Sequence, residues 1–190
     1  IHWMQKRTRS ALISIVFFLL SASAHAATEV QLRALTYNVW GLPWPASHAT
    51  WRYAEIGPRL AEADVVALQE MWSNDTDVIW RLSPSHPYKA FGGQTHGLVE
   101  GSGLLALSKY PIVESYFEKY VDCAGNECAA GKGVQMFRVR HPSGIEIDFY
   151  NTHLNAWEEY ELTRTGQLLQ LIGVVSEHSI GRPVVVLGDF

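Results

Sequence analysis

The run Asp64-Val65-Val66-Ala67-Leu68-Gln69-Glu70 limits the possible folds more than any other stretch of this chain. A short apolar run with an acid at each end reads as a strand buried on both faces of a sheet, because it lacks the length and the polar face of a surface helix. Glu70 then falls at the C-terminal tip of that strand. In layered α/β architectures, ligands gather just beyond the ends of buried strands, where rigid neighbours fix the side chains. A single strand-end acid can equally cap a turn. Three other strand-like segments end in the same manner, however: Leu35-Thr36-Tyr37-Asn38, Ile147 to His153, and Val184 to Asp189. Four apolar runs thus deliver Asn38, Glu70, His153 and Asp189, and their joint occurrence outweighs the plain reading of each.

The first 26 residues have a different character. Met4 is followed by Lys6, Arg7 and Arg9, then by the apolar stretch Ala11 to Leu20, and then by Ser21-Ala22-Ser23-Ala24-His25-Ala26. This is the pattern of a secretory signal peptide cleaved after Ala26. The apolar core is about ten residues, where a membrane span needs about twenty. Residues 1–3 precede the plausible start and are expected to be an upstream extension. The expected location is therefore secreted or periplasmic, with residues 27–190 forming the folded part. Removing the leader takes away three cations and no acids, so the net charge goes from −4 to 12 − 19 = −7. An acidic chain is poorly suited to broad nucleic-acid binding, which needs a basic face, although a local metal site could still handle phosphate.

One domain is expected at this length, and 47% apolar with 18% charged residues suits a globular chain. Gln31 to Trp40 reads as a strand. Arg52, Ile56 and Leu60 form a helical stripe that Gly57-Pro58 should kink or split. Asn74 or Asp75 is expected to cap a short helix through Leu82, and Gly92 to Gly103 reads as a loop. Leu104 to Ser108, Ile112 to Tyr120, Val134 to Arg140 and Ile145 to Asn151 read as strands, the last two joined as a hairpin through His141-Pro142-Ser143-Gly144. A helix over Tyr160 to His178 precedes the closing strand after Pro183. Runs of adjacent strands with few helices favour two packed sheets over a simple alternation of strand and helix. Cys123 and Cys128 are the only cysteines. In an exported chain a small-loop disulfide is their default state, with free thiols or a metal site as the alternatives.

The motifs Leu35 to Pro43, Asp64 to Glu70, Ser102-Gly103-Leu104-Leu105, Asn151-Thr152-His153-Leu154-Asn155 and Gly188-Asp189-Phe190 resemble the endonuclease/exonuclease/phosphatase superfamily, in its order. Within it, Asn38 to Pro43, Gly131-Lys132-Gly133-Val134, and Asn155 and Ala156 resemble the secreted bacterial sphingomyelinase and neutral-sphingomyelinase-like branch. The resemblance implies an α+β fold: a four-layer α/β/β/α sandwich of two packed mixed sheets with a divalent cation, usually Mg2+, at one end. By motif position Glu70 and Asn38 are the expected metal ligands, His153 the group that hydrogen-bonds a phosphoryl oxygen, and Asp189 the carboxylate that orients the nucleophilic water. Lys132 and Asn155 are candidate substrate contacts, although a solvated lysine in a Gly-rich turn is an equal reading of Lys132. Arg164 and Gln167 resemble family helix positions, and bracing the strand ends is their plain reading. The family pattern continues past Phe190 with an Asn, a later acid and an Asp-His pair that supplies the general base. The chain is accordingly expected to be an N-terminal part of such a domain, truncated at the C-terminus and inactive by itself, with His96 and His178 the first histidines to consider if a base lies within it.

Tryptophans follow the strand tips. Trp40 and Trp72 come two residues after Asn38 and Glu70, Trp157 comes four after His153, and Trp44 lies close behind Trp40. Tryptophan favours membrane interfaces. These positions favour a lipid over a nucleic-acid substrate, and the resemblance then implies metal-dependent hydrolysis of sphingomyelin to ceramide and phosphocholine, with a phospholipid substrate and peripheral membrane contact. The alternatives are a secreted nuclease or phosphoinositide-type phosphatase on the same scaffold, or a catalytically dead lipid-binding module.

Overall fold

A computed structural model describes residues 29–42, 49–94, 96 and 101–190. The expected leader and Trp44 lie outside the described residues. Two four-stranded sheets are built in chain order. The first has β1 (Ala34–Asn38), β2 (Val65–Gln69), β3 (Tyr88–Phe91) and β4 (Leu105–Ser108), arranged β1-β2-β4-β3. The second has β5 (Ile112–Lys119), β6 (Gly133–Arg140), β7 (Glu146–His153) and β8 (Val184–Asp189), arranged in sequence order. Each sheet is mixed: β1 runs parallel to β2 and β7 parallel to β8, while the other neighbours are antiparallel.

The period of two along each strand sorts side chains between the layers. From β2, Val66 and Leu68 join Leu105 and Leu107 on the outer face of the first sheet. There they pack beneath α1 (Ala49–Arg59) and α2 (Asp77–Arg81) through Tyr53, Ile56 and Ile79. Val65 and Ala106 turn the other way, toward Phe137, Val139, Ile147 and Phe149, and fill the space between the sheets. On the far side, Val134, Met136 and Tyr150 are covered by Leu171 and Val174 of α3 (Glu161–His178). These are the four layers of an α/β/β/α sandwich. The central expectation about β2 holds, since all five of its residues are buried.

Local departures have local causes. The first strand is shorter than Gln31 to Trp40, because only Ala34–Asn38 finds ladder partners on β2. Helix α1 runs through Gly57-Pro58 without splitting. Pro58 is its penultimate residue, and the chain tightens directly afterwards into a 3₁₀ turn over Leu60–Glu62, so little helix remains for the missing N–H to disrupt. Ser73 caps the 3₁₀ turn Asn74–Thr76 that leads into α2, its Oγ accepting from the Asp75 backbone N–H at 3.2 Å, and Thr76 at the start of α2 makes no side-chain cap; neither Asn74 nor Asp75 serves. The short edge strand β3 went unanticipated: its four residues include only one that is buried, too little pattern to register a period.

Candidate active site

All four chemistry-bearing residues sit at one end of the sandwich because the parallel pairs β1/β2 and β7/β8 end there. Asn38 is the last residue of β1, Glu70 follows β2, and His153 and Asp189 end β7 and β8 as register partners. Asn38 ties them across the sheets. Its Nδ2 donates to Glu70 Oε1 at 2.8 Å and to Asp189 Oδ2 at 2.7 Å, while its Oδ1 accepts from the Trp40 backbone N–H at 2.8 Å. His153 Nε2 stands 4.0 Å from Glu70 Oε1 and 3.9 Å from Asp189 Oδ2.

Backbone shape places Glu70. It occupies the left-handed region with φ of 61°, a conformation that costs a bulky residue of order 1–3 kcal/mol. Gly41 lies against it so tightly that a Cβ there would come 2.0 Å from the Glu70 carbonyl oxygen, so only glycine lets this loop close over the tip. Trp72 packs under the site, buried, with its ring stacked on His153 at 5.9 Å between centroids and its indole N–H donated to Gly101 O at 3.1 Å.

Lys132 is buried beside this cluster, which overturns its reading as a solvated lysine. Its ammonium donates to the Glu127 carboxylate, to Leu154 O at 2.8 Å and to His153 Nε2 at 3.1 Å. With Nε2 accepting from a protonated lysine, the imidazole carries its hydrogen on Nδ1. Glu127 lies in the loop closed by the Cys123–Cys128 disulfide. Asn155 is also buried, but its side chain accepts from Ala124 N at 2.9 Å and donates to Ala156 O at 3.0 Å, so it fastens this loop to the strand end. Arg164 and Gln167 brace the same segment: Arg164 donates to Asn155 O and Trp157 O, and Gln167 accepts from Asn155 N and donates to Asp122 O. His96 pairs with Asp77, and the His178 ring packs on Tyr116 at the other end of α3, so neither joins the cluster.

Burial dominates the electrostatics. It pushes the Glu70 carboxyl above its usual range, against the opposing pull of the Asn38 hydrogen bond and the Lys132 charge. It lowers His153 to about 4, with the Lys132 charge adding to the effect, so the imidazole is neutral at pH 7. Burial also lowers Lys132, which the Glu127 carboxylate counteracts. Two buried polar atoms here have no hydrogen-bond partner, Glu70 Oε2 and His153 Nδ1. An unpartnered carboxylate oxygen is what a hard cation takes, the rest of its shell being filled by water. Glu70 fits such an ion; Asn38 presents its amide nitrogen, not its oxygen, to both carboxylates. Among the described residues no three His, Cys, Asp or Glu side chains gather as a ready-made metal site. A cleft of about 230 Å³ opens over the cluster, lined in part by Leu42, Glu70, Trp72, Glu127, His153 and Ala156.

Sequence reasoning passed over the polar ladder beneath the site. Gln69 Nε2 donates to Asn151 Oδ1 at 2.7 Å and to Thr36 Oγ1 at 3.0 Å, and Asn151 Nδ2 donates to Leu68 O and to Gln135 Oε1. The signal was present: Gln69 follows Val65 and Ala67, and Asn151 follows Ile147 and Phe149, on faces turned between the sheets, where a polar group must find a partner. Glu127 was also missed, since nothing in a Gly-rich loop marks one acid as paired.

A Schizosaccharomyces pombe protein named inositol phosphosphingolipids phospholipase C is 39% identical over 179 residues, covering 84% of this chain and 41% of that protein. A Mycobacterium bovis protein named sphingomyelinase is 30% identical over 163 residues, covering 82% of this chain and 33% of that protein. The chain thus spans about two fifths or less of the length of these relatives. Among solved structures, a Staphylococcus aureus beta toxin mutant with bound magnesium ions superimposes with a TM-score of 0.72 at 19% identity, covering 84% of this chain and 64% of that one. The Endonuclease/Exonuclease/phosphatase family profile matches residues 35–190, from β1 through Asp189 at the strand tips, and the chain belongs to that family.

Proposed function

We propose that the protein hydrolyses the phosphodiester of a sphingolipid, releasing ceramide and the phosphorylated headgroup, with a divalent cation held at Glu70. The observation that carries this reading is the buried, unpartnered Glu70 Oε2 beside a neutral His153 and a buried lysine, in a cleft at the strand tips. The names of the relatives, one a sphingomyelinase and one a phospholipase C of inositol phosphosphingolipids, support the substrate class, and the magnesium in the beta toxin structure supports the choice of ion.

Bound at Glu70, Mg2+ would supply Lewis-acid stabilisation of charge on the phosphoryl oxygens. The chain's own groups supply positioning and charge stabilisation. Lys132 spends one hydrogen on His153 Nε2; a phosphoryl oxygen entering the cleft can take that hydrogen instead, so that the lysine ammonium meets the charge as it develops. Asp189 accepts from Asn38 and faces His153 at 3.9 Å, where it can orient the attacking water. Asn38 fixes both carboxylates relative to each other, and Asn155 holds the disulfide loop that carries Glu127. Residues 1–26 serve in this reading as a secretory leader, and the protein works outside the cytoplasm on membrane lipid.

The test is release of phosphocholine from sphingomyelin, and of phosphoinositol from inositol phosphoceramide, by the gene product that carries this chain, with Mg2+ and with a chelator. Metal-dependent release that Glu70→Gln abolishes is the expected result. Cleavage of single-stranded DNA or of a phosphoinositide monoester, with neither sphingolipid touched, would overturn it.

A further inference from the structure

Among the described residues only three that are not glycine have positive φ: Trp40 at 49°, Glu70 at 61° and Trp157 at 74°. A bulky side chain in that region is an outlier that persists only where its surroundings enforce it. One of the three is the site carboxylate. The other two are tryptophans next to the cleft in sequence: Trp40 lies between Asn38 and the cleft-lining Leu42, and Trp157 directly follows the cleft-lining Ala156.

Both rings face solvent, Trp40 at 43% and Trp157 at 67% exposure. Each is held by an arginine. Arg52 donates to Trp40 O at 3.0 Å with its guanidinium 5.3 Å from the ring centroid, and the Tyr53 hydroxyl donates to the same carbonyl at 3.2 Å. Arg164 donates to Trp157 O and also to Asn155 O at 3.2 Å. Strained backbone, clamped from behind, keeps much of both rings in contact with water. Trp51 is the contrast: 70% exposed on the regular helix α1, without strain, it is an ordinary scattered surface residue.

We propose that Trp40 and Trp157 are a pair of rigid anchors that seat the mouth of the cleft on a zwitterionic bilayer surface bearing phosphocholine headgroups. This rests on the sphingolipid reading above and narrows it to substrates in such a surface. Tryptophan prefers the boundary between hydrocarbon and water, and a preformed anchor loses little freedom on binding. Leu162, 88% exposed, extends the apolar edge beyond Trp157. Charge selects the surface. Glu158, Glu159 and Glu161 are all exposed beside Trp157, Arg164 is engaged on carbonyls, and the chain is acidic, with a net charge of −4. An anionic leaflet attracts each nearby cation by about 1 kcal/mol and repels carboxylates with the same sign logic. A phosphocholine surface has no net charge and presents its ammonium groups outermost, where these glutamates meet them.

Binding to vesicles of phosphatidylcholine alone, with chelator present, tests this without any hydrolysis. Trp40→Gly and Trp157→Gly remove the rings and leave glycine, which adopts positive φ without a Cβ penalty, so the fold is preserved. Each should weaken binding about tenfold and the pair about a hundredfold if the anchors act independently. Ile180→Ala, removing an 84% exposed side chain ahead of β8 at the opposite end, should change nothing, and adding phosphatidylserine should weaken the unaltered protein. A double variant that binds within about twofold of the unaltered protein, or tighter binding as phosphatidylserine is added, would overturn the proposal. The two readings fail separately: tryptophan-dependent vesicle binding without sphingolipid cleavage supports the anchors and sinks the enzyme, and cleavage without such binding does the reverse.

Discussion

The Gln69 amide donates to Asn151 Oδ1 at 2.7 Å across the gap between the two sheets, one residue before Glu70 on one side and two before His153 on the other. Both side chains are buried, at 1% and 0% exposure. This bond fixes the height of one sheet against the other directly beneath the site, where an apolar pair could slide. Removing either partner leaves a buried amide unpaired and should cost about 1–3 kcal/mol. Gln69→Leu and Asn151→Leu should each destabilise by that order, and the double variant by clearly less than their sum. Urea unfolding of the four proteins measures the coupling; strict additivity would mean the contact holds nothing.

Glu70 should dominate cation binding. Because an ion that binds only the native state raises its stability, Mg2+ should raise the Tm of the unaltered protein, and this shift should vanish in Glu70→Gln. Scanning calorimetry with and without the ion reads it independently of turnover. An equal shift in both proteins would move the cation elsewhere.

The disulfide between Cys123 and Cys128 closes a loop with a sequence separation of only 5. Chain-entropy arguments give so small a loop roughly 2 kcal/mol. The Cys123→Ser/Cys128→Ser variant should therefore melt only modestly lower. A larger effect should fall on Lys132, whose Glu127 partner the loop carries. Heteronuclear NMR of the lysine ammonium with and without reductant distinguishes the two, and an unchanged Lys132 signal would separate the loop from the site.

Much of this site is legible in the sequence because its residues end strands whose apolar runs are strong. Val65 to Leu68 and Val184 to Leu187 announce buried strands, and a polar residue at the end of such a run has few places to be but the sheet's edge of activity. Partnership was what stayed hidden. Nothing along the chain says that Asn38 turns its nitrogen toward Glu70 and Asp189, since that depends on the Trp40 N–H claiming its oxygen. Tryptophan spacing placed Trp40, Trp72 and Trp157 at one end but could not tell buried from exposed. Trp72 packs on His153, and the left-handed backbone that turns the other two outward leaves no mark in residue type.

His86 should make stability depend on pH away from the site. Its ring is buried at 6% exposure, with Nε2 3.1 Å from Ala63 O and Nδ1 2.8 Å from Ser83 Oγ. A carbonyl only accepts, so Nε2 carries the hydrogen and Nδ1 accepts from the serine: the neutral imidazole is satisfied at both nitrogens. Burial, reinforced by the Lys109 charge, holds its pKa below the ordinary value despite the Ala63 hydrogen bond. Below the unfolded pKa of about 6.5, the unfolded chain therefore takes up a proton that the folded chain refuses. The stabilisation is complete above that pH and is lost as the pH falls through the window beneath it, His153 adding a loss of the same sign down to about 4. His86→Gln can keep a donor toward Ala63 O while removing the titration. Guanidinium unfolding at about pH 7.5 and about pH 5.5 should show a smaller drop for His86→Gln than for the unaltered protein; equal drops would mean that His86 titrates alike in both states.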